Sequence, residues 1–136
     1  MILLLSWLLF FMKSSELRIV FTNLQQPEGR LYVAVFDKKA DFLQPDRARF
    51  QQVVPVRKTG SLEVIIAGVP DGAYAISCFH DVNGNGILDK NWLGVPTEPY
   101  CFSNNARPRF RAPRWEEAKF SFIAGQTIPR LRLEKW

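Results

Sequence analysis

From residue 17 to residue 22 apolar and polar side chains alternate. Leu17, Ile19 and Phe21 fall on one face and Arg18, Val20 and Thr22 on the other. A period of two is the pattern of a half-buried β-strand. After a turn at Gln26-Pro27-Glu28-Gly29, residues 30–36 repeat it, with Leu31, Val33 and Val35 on one face. Residues 37–50 are polar, contain Asp41, Pro45 and Asp46, and predict a connection with one helical turn. Residues 52–58 and 62–69 predict two more strands around Thr59-Gly60-Ser61. The next turn is Pro70-Asp71-Gly72, where proline presets φ and glycine accepts a positive one. Tyr74, two residues on, stands where a tyrosine corner ties its phenol back to the backbone. Tyr74, Ile76, Cys78 and His80 then share one face of a fifth strand. Residues 81–114 carry no periodicity, and a stretch of that length inside a compact domain signals function or a ligand. Residues 118–123 and 127–133 close the chain as two further strands. The expectation is all-β: an immunoglobulin- or transthyretin-like β-sandwich of about seven strands with one long loop excursion.

Composition fits that reading and adds a leader. At 136 residues, with 47% hydrophobic and 23% charged residues, the chain has the make-up of a folded domain rather than a disordered one. Its 11 Phe, most of them in strand-like runs, favour a sheet. Residues 2–12 are almost wholly apolar, which suits a signal-peptide core and falls short of the ~20 residues of a spanning helix. No Lys or Arg precedes this run, and no small-x-small cleavage site follows it near Lys13-Ser14-Ser15. Two explanations stay open: a start that lies downstream of the true one, or a segment retained as an anchor. The expected organisation is a leader over residues 1–15 and a single β-sandwich domain over residues 16–136. The expected location is outside the cytoplasm, periplasmic or at the cell surface, with membrane association through the leader as a further option.

The chemistry concentrates in residues 81–91. Oxygen-bearing side chains recur at alternate positions, Asp81, Asn83 and Asn85, followed by Asp89. Gly86 falls where an EF-hand-type loop makes its sharp turn, and Ile87 where such a loop donates a backbone carbonyl. Ca²⁺ takes six to eight hard oxygens, and alternate residues of a curled loop supply them. The twelfth position is Trp92 instead of a bidentate Glu, so the set needs Glu98 from outside the loop. The competing reading is a metal-free Asn/Gly turn whose side chains cap their own backbone. His80, the sole histidine, adjoins this loop and is a weak catalytic candidate with Cys101 or Glu98. No G-x-S-x-G elbow accompanies it, and a histidine paired to the loop backbone is the simpler expectation. Cys78 and Cys101 flank the loop and form a possible disulfide if export places them in an oxidising compartment. Net charge is +5, with Arg107, Arg109, Arg111 and Arg114 in one short stretch. That stretch is an anion-binding candidate for a membrane or polysaccharide surface. No helix-turn-helix, zinc finger or RNA-binding sheet motif accompanies it, so no nucleic acid is expected.

The ordered motifs Pro70-x-Gly72-x-Tyr74-Ala75-Ile76, Phe79-His80-Asp81-x-Asn83-x-Asn85-Gly86-x-Leu88-Asp89-x-Asn91 and Gly94-x-Pro96-Thr97-Glu98-x-Tyr100-x-Phe102-Ser103-Asn104-Asn105-Ala106 resemble the uncharacterised bacterial family called domain of unknown function 2141. Val33-x-Val35-Phe36 and Trp115-Glu116-x-Ala118-x-Phe120 extend the resemblance over nearly the whole chain after the leader. It implies a small exported protein with no established activity. Cys101 stands where the resemblance implies Gly, the arginine stretch is more basic, and the leader is shorter. The leading expectation is a binding or structural module with a Ca²⁺-ordered loop and an extracellular ligand. The alternatives are a hydrolase-like enzyme built on His80, and a protein that binds anionic lipid or polysaccharide through its arginines.

Overall fold

The computed structural model describes residues 15–136, so the predicted leader, all but its last residue Ser15, lies outside the described residues. Among the described residues there are eight strands, β1 (Leu17–Leu24), β2 (Arg30–Phe36), β3 (Phe50–Pro55), β4 (Gly60–Ile66), β5 (Gly72–Asp81), β6 (Tyr100–Phe102), β7 (Phe120–Phe122) and β8 (Arg130–Arg132), and one short α-helix, α1 (Trp115–Ala118). They make two sheets. One has the order β4-β1-β8; the other runs β3-β2-β5-β6, with β7 also paired to β5. The expected all-β sandwich is therefore the observed architecture. Among the described residues no helix is long and apolar enough to cross a membrane.

The alternating faces meet in one core. Leu17, Ile19 and Phe21 of β1, Leu31, Val33 and Val35 of β2, and Ile76 and Cys78 of β5 are buried in a single cluster with Leu131 and Leu133. Burying such side chains contributes about 1.5–3 kcal/mol each, which is why register is strongly held where one face is dry. The β1–β4 ladder shifts register between Phe21 and Leu24. Asn23 takes a φ of 67° there and donates from Nδ2 to the Leu133 carbonyl at 2.7 Å. The Pro70 turn behaves as predicted: the Tyr74 hydroxyl donates to the Pro70 carbonyl at 2.6 Å, and Asp71 accepts from the Ala124 amide at 2.9 Å.

Several boundaries differ from the sequence expectation. The third strand begins at Phe50 instead of residue 52, because Phe50 packs on the core from the ladder position opposite Val35. The connection before it holds two single 3₁₀ turns, Lys39–Asp41 and Pro45–Arg47. The stretch 81–114 is not structureless: β6 pairs with β5 within it, and a tight turn at Ser103–Asn105 follows. Ser103 explains that turn. Its buried hydroxyl accepts from the Ile76 amide at 2.9 Å and donates to the Ala118 carbonyl at 2.5 Å. Residue 118 thus closes α1 instead of opening a strand.

Candidate functional site

The Asn/Gly loop springs from the end of β5. Asp81 is fully buried, at 0% exposure, and its carboxylate faces back along the loop. Its Oδ1 accepts the Asn85 amide at 3.2 Å and its Oδ2 the Gly86 amide at 2.8 Å. Asn83 Oδ1 accepts the same Asn85 amide at 3.2 Å, and Asn85 Oδ1 accepts the Ile87 amide at 3.1 Å. Short side chains that bond a backbone two residues on are the reason Asn and Asp hold such turns. Gly86 makes the sharp turn with φ of 82°. The side-chain amides of Asn83 and Asn85 both donate to Asp89, to Oδ2 and Oδ1 respectively, each at 2.6 Å.

Glu98 completes the ring from outside. It is buried, and its two carboxylate oxygens accept the Val82 amide at 2.7 Å and the Asp89 amide at 3.0 Å. Thr97 secures the same point, its amide and its hydroxyl donating to the Asp89 carbonyl at 2.8 Å and 3.2 Å. Trp92, in the twelfth position, points away: it is 90% exposed at the tip of a turn held by Asn91, whose Oδ1 accepts the Leu93 and Val95 amides. Asp81, Asn83, Asn85, Ile87, Asp89 and Glu98 are thus gathered into one loop system. As arranged, no three acidic, His or Cys side chains among the described residues are grouped closely enough to hold an ion. Every buried side-chain nitrogen and oxygen among them has a hydrogen-bond partner. These residues carry oxygens of the hard kind that Ca²⁺ takes, and in this arrangement the side-chain amides of Asn83 and Asn85 occupy both oxygens of the Asp89 carboxylate.

His80 is buried, at 1% exposure. Its Nε2 donates to the Glu28 carbonyl at 2.6 Å, which places the proton on that nitrogen. A recess of about 300 Å³ reaches it between Gln26, Pro99 and Leu133. Glu98 is committed to the loop backbone, and Cys101 lies opposite Cys78 in the ladder. The imidazole is therefore a tie between the loop base and the β1–β2 turn.

The same turn holds a residue that sequence reasoning missed. Gly29 has φ of +72°, and a Cβ there would lie 2.0 Å from the Asp81 carbonyl oxygen and 2.8 Å from the Val82 Cα. The loop base rests directly on this glycine. The signal was present in Pro27-Glu28-Gly29, but nothing local says what approaches from residue 81.

The four arginines do not form one free surface. Arg107 lies 4.2 Å over the Tyr100 ring and donates to the Tyr100 and Glu134 carbonyls. Arg111 pairs with Glu117 at 2.6 Å, and that hydrogen bond, with a second from the Arg114 amide, lowers the Glu117 carboxyl from 4.5 to about 2. Arg109 is exposed beside Phe110 and Trp136.

A larger recess, about 800 Å³, lies on the outer face of the β3-β2-β5-β6 sheet. Tyr32 and Phe79 stack in it with centroids 5.0 Å apart, beside Ala34, Ser77 and Phe102. Gly86, Ile87 and Leu88 of the Asn/Gly loop line the same recess.

The sequence profile of a family described as an uncharacterized protein conserved in bacteria (DUF2141) matches residues 19–129. This chain belongs to the DUF2141 family. The match takes in strands of both sheets, all but β8, and the whole Asn/Gly loop, and it agrees with the resemblance carried by the loop motifs. No curated protein and no solved structure matches the chain.

Proposed function

We propose that this DUF2141 protein is an exported, non-enzymatic binding module whose Asn/Gly loop is ordered by Ca²⁺ and forms a wall of the ligand recess. The observation that supports the reading is one hydrogen-bonded network of Asp81, Asn83, Asn85 and Asp89, with Glu98 bonded from outside the loop to the Val82 and Asp89 amides, from where it would stand in for the missing twelfth-position carboxylate. Asp81, Asn83, Asn85, the Ile87 carbonyl, Asp89 and Glu98 are the ligand set. The side-chain amides of Asn83 and Asn85 turn their oxygens toward the ion as it displaces their hydrogen bonds to Asp89. With so few carboxylates, affinity falls near the extracellular-module range of ~10⁻⁴–10⁻³ M. An ion that binds only the folded state adds about 2.7 kcal/mol at a hundredfold excess over Kd. Because residues 86–88 line both loop and recess, ordering the loop also fixes the recess. The size and largely apolar lining of that recess suit a small organic ligand.

The test is a calorimetric titration of chelator-stripped protein with CaCl₂, paired with melting curves in CaCl₂ and in EDTA. Saturable heat and a raised melting temperature are expected, both abolished in Asp81→Ala and in Asp89→Ala. No heat and no shift in the native sequence would make the loop a metal-free turn; a shift that survives both substitutions would move the site elsewhere.

A further inference from the structure

Cys78 and Cys101 are direct register partners on β5 and β6, both on the inner face and both buried. The His80 amide donates to the Pro99 carbonyl at 2.8 Å, two steps along the same ladder. That fixes 80/99, and by alternation 78/101, as hydrogen-bonded pairs, whose Cα atoms stand about 5.5 Å apart. A disulfide spans Cα separations of about 4.4–6.8 Å and draws its Cβ atoms to about 3.5–4.5 Å, closer than the roughly 5.5 Å of an open hydrogen-bonded pair, so the two strands tighten as the bridge forms. Both are free thiols in this structure, and the Cys78 thiol donates to the Phe79 carbonyl at 3.9 Å.

We propose that Cys78 and Cys101 form an intramolecular disulfide when the chain folds in the presence of an oxidising disulfide, stapling β6 to β5 at the base of the Asn/Gly loop. The bridge closes residues 78–101, which contain every ligand of the proposed ion site, and so restricts the loop ends independently of any metal. The reaction is thiol–disulfide exchange. The first thiolate attacks the oxidant and expels one thiol, and the second cysteine then resolves the mixed disulfide and expels the other. The two cysteines lose two protons and two electrons in all, and the oxidant leaves as two thiols. Burial first, and then the neighbouring Cys101, push the Cys78 thiol well above its usual range, so thiolate is scarce once the sandwich is closed. Exchange therefore proceeds before β6 docks, or when this three-residue strand opens locally.

The test uses the full chain, refolded with oxidised glutathione as the probe oxidant and EDTA throughout. EDTA keeps the result separate from the Ca²⁺ reading. The product is denatured without reductant and exposed to an alkylating reagent. No adduct is expected, against two after prior reduction, and an unreduced tryptic digest is expected to yield residues 59–90 linked to residues 91–109. Two adducts without prior reduction, or a dimer on a non-reducing gel in place of the linked peptides, would overturn the proposal. Because the count is made on the native sequence, it does not depend on whether a cysteine variant folds.

Discussion

Gly29 shows how much one residue can hold in this fold. Its positive φ costs any L side chain about 1–2 kcal/mol, and an added methyl would meet the main chain of Asp81 and Val82, which has no rotamer with which to yield. Gly29→Ala is therefore expected to cost more than 3 kcal/mol, about the scale of a lost core side chain, read as the shift of the urea unfolding midpoint. Gly84 supplies the control, with φ of +73° and open space around it. Gly84→Ala is expected to cost only about 1 kcal/mol, from backbone strain alone. Equal losses in the two variants would mean that the loop base does not rest on residue 29. Tyr74 is a second such position. Its phenol is pushed upward in pKa by burial, then by Asp37, and stays a hydrogen-bond donor to Pro70 at ordinary pH. Tyr74→Phe removes that one bond and is expected to cost about 1 kcal/mol by the same measurement. The tyrosine was legible in the sequence because its partner lies four residues away. The glycine was not, because its partner lies across the sheet.

Elements divide along the same line. β1, β2, β4 and β5 announce themselves by alternation, since each runs for seven residues or more with apolar side chains recurring on its inward face. β6 is three residues between Pro99 and the turn at Ser103, too short for a period of two to show. The four-residue α1 owes its place to contacts that no local pattern displays. Glu117 accepts the Arg114 amide at its N-terminal end and pairs with Arg111, while Asn104 donates to the Glu117 and Lys119 carbonyls beyond its last turn. Its electrostatics make a pH prediction. Glu117 has a folded pKa of about 2 against 4.5 for the free group, so the carboxylate is the form that the folded segment favours. The contribution is present above the unfolded value and is lost as pH falls from about 4.5 through about 2. Trp115 opens the helix and reports on it. Its fluorescence is expected to change across that acid window in the native protein and to lose that transition in Glu117→Gln. A transition of equal size in the variant would assign it to another carboxylate. The Asn/Gly loop is the opposite case. Its alternating Asp and Asn side chains could be read directly, because their spacing is itself a sequence pattern, and Glu98 was a candidate from outside the loop; the Val82 and Asp89 amides that Glu98 binds are displayed only by the structure.

At the scale of the whole molecule, the last strand joins the two sheets. β8 runs parallel to β1 in one sheet, and two residues later Glu134 exchanges backbone hydrogen bonds with Tyr100 of the other. Arg107 holds that crossing. Its guanidinium lies over the Tyr100 ring and donates to the Tyr100 carbonyl at 3.1 Å and to the Glu134 carbonyl at 2.5 Å. The arginine cluster looked uniform as a sequence, because charge density carries no record of what each side chain touches. In the fold it separates into a structural cation, Arg107, a helix-bracing one, Arg111, and two exposed ones, Arg109 and Arg114. A surface built for anions and a clamp built for the chain end make different demands on these residues. An anion surface requires Arg107→Ala and Arg109→Ala to weaken binding alike while leaving stability untouched, since exposed charges contribute little to folding. The clamp requires Arg107→Ala alone to destabilise, by about 2 kcal/mol for the lost carbonyl bonds and the ring contact. Paired denaturant melts of the two variants, with flotation against anionic vesicles at low salt, separate these cases. The expected outcome is an early unfolding midpoint for Arg107→Ala and a native one for Arg109→Ala. Matching midpoints would return Arg107 to the surface and leave the bridge between Tyr100 and Glu134 to hold the chain end by its backbone alone.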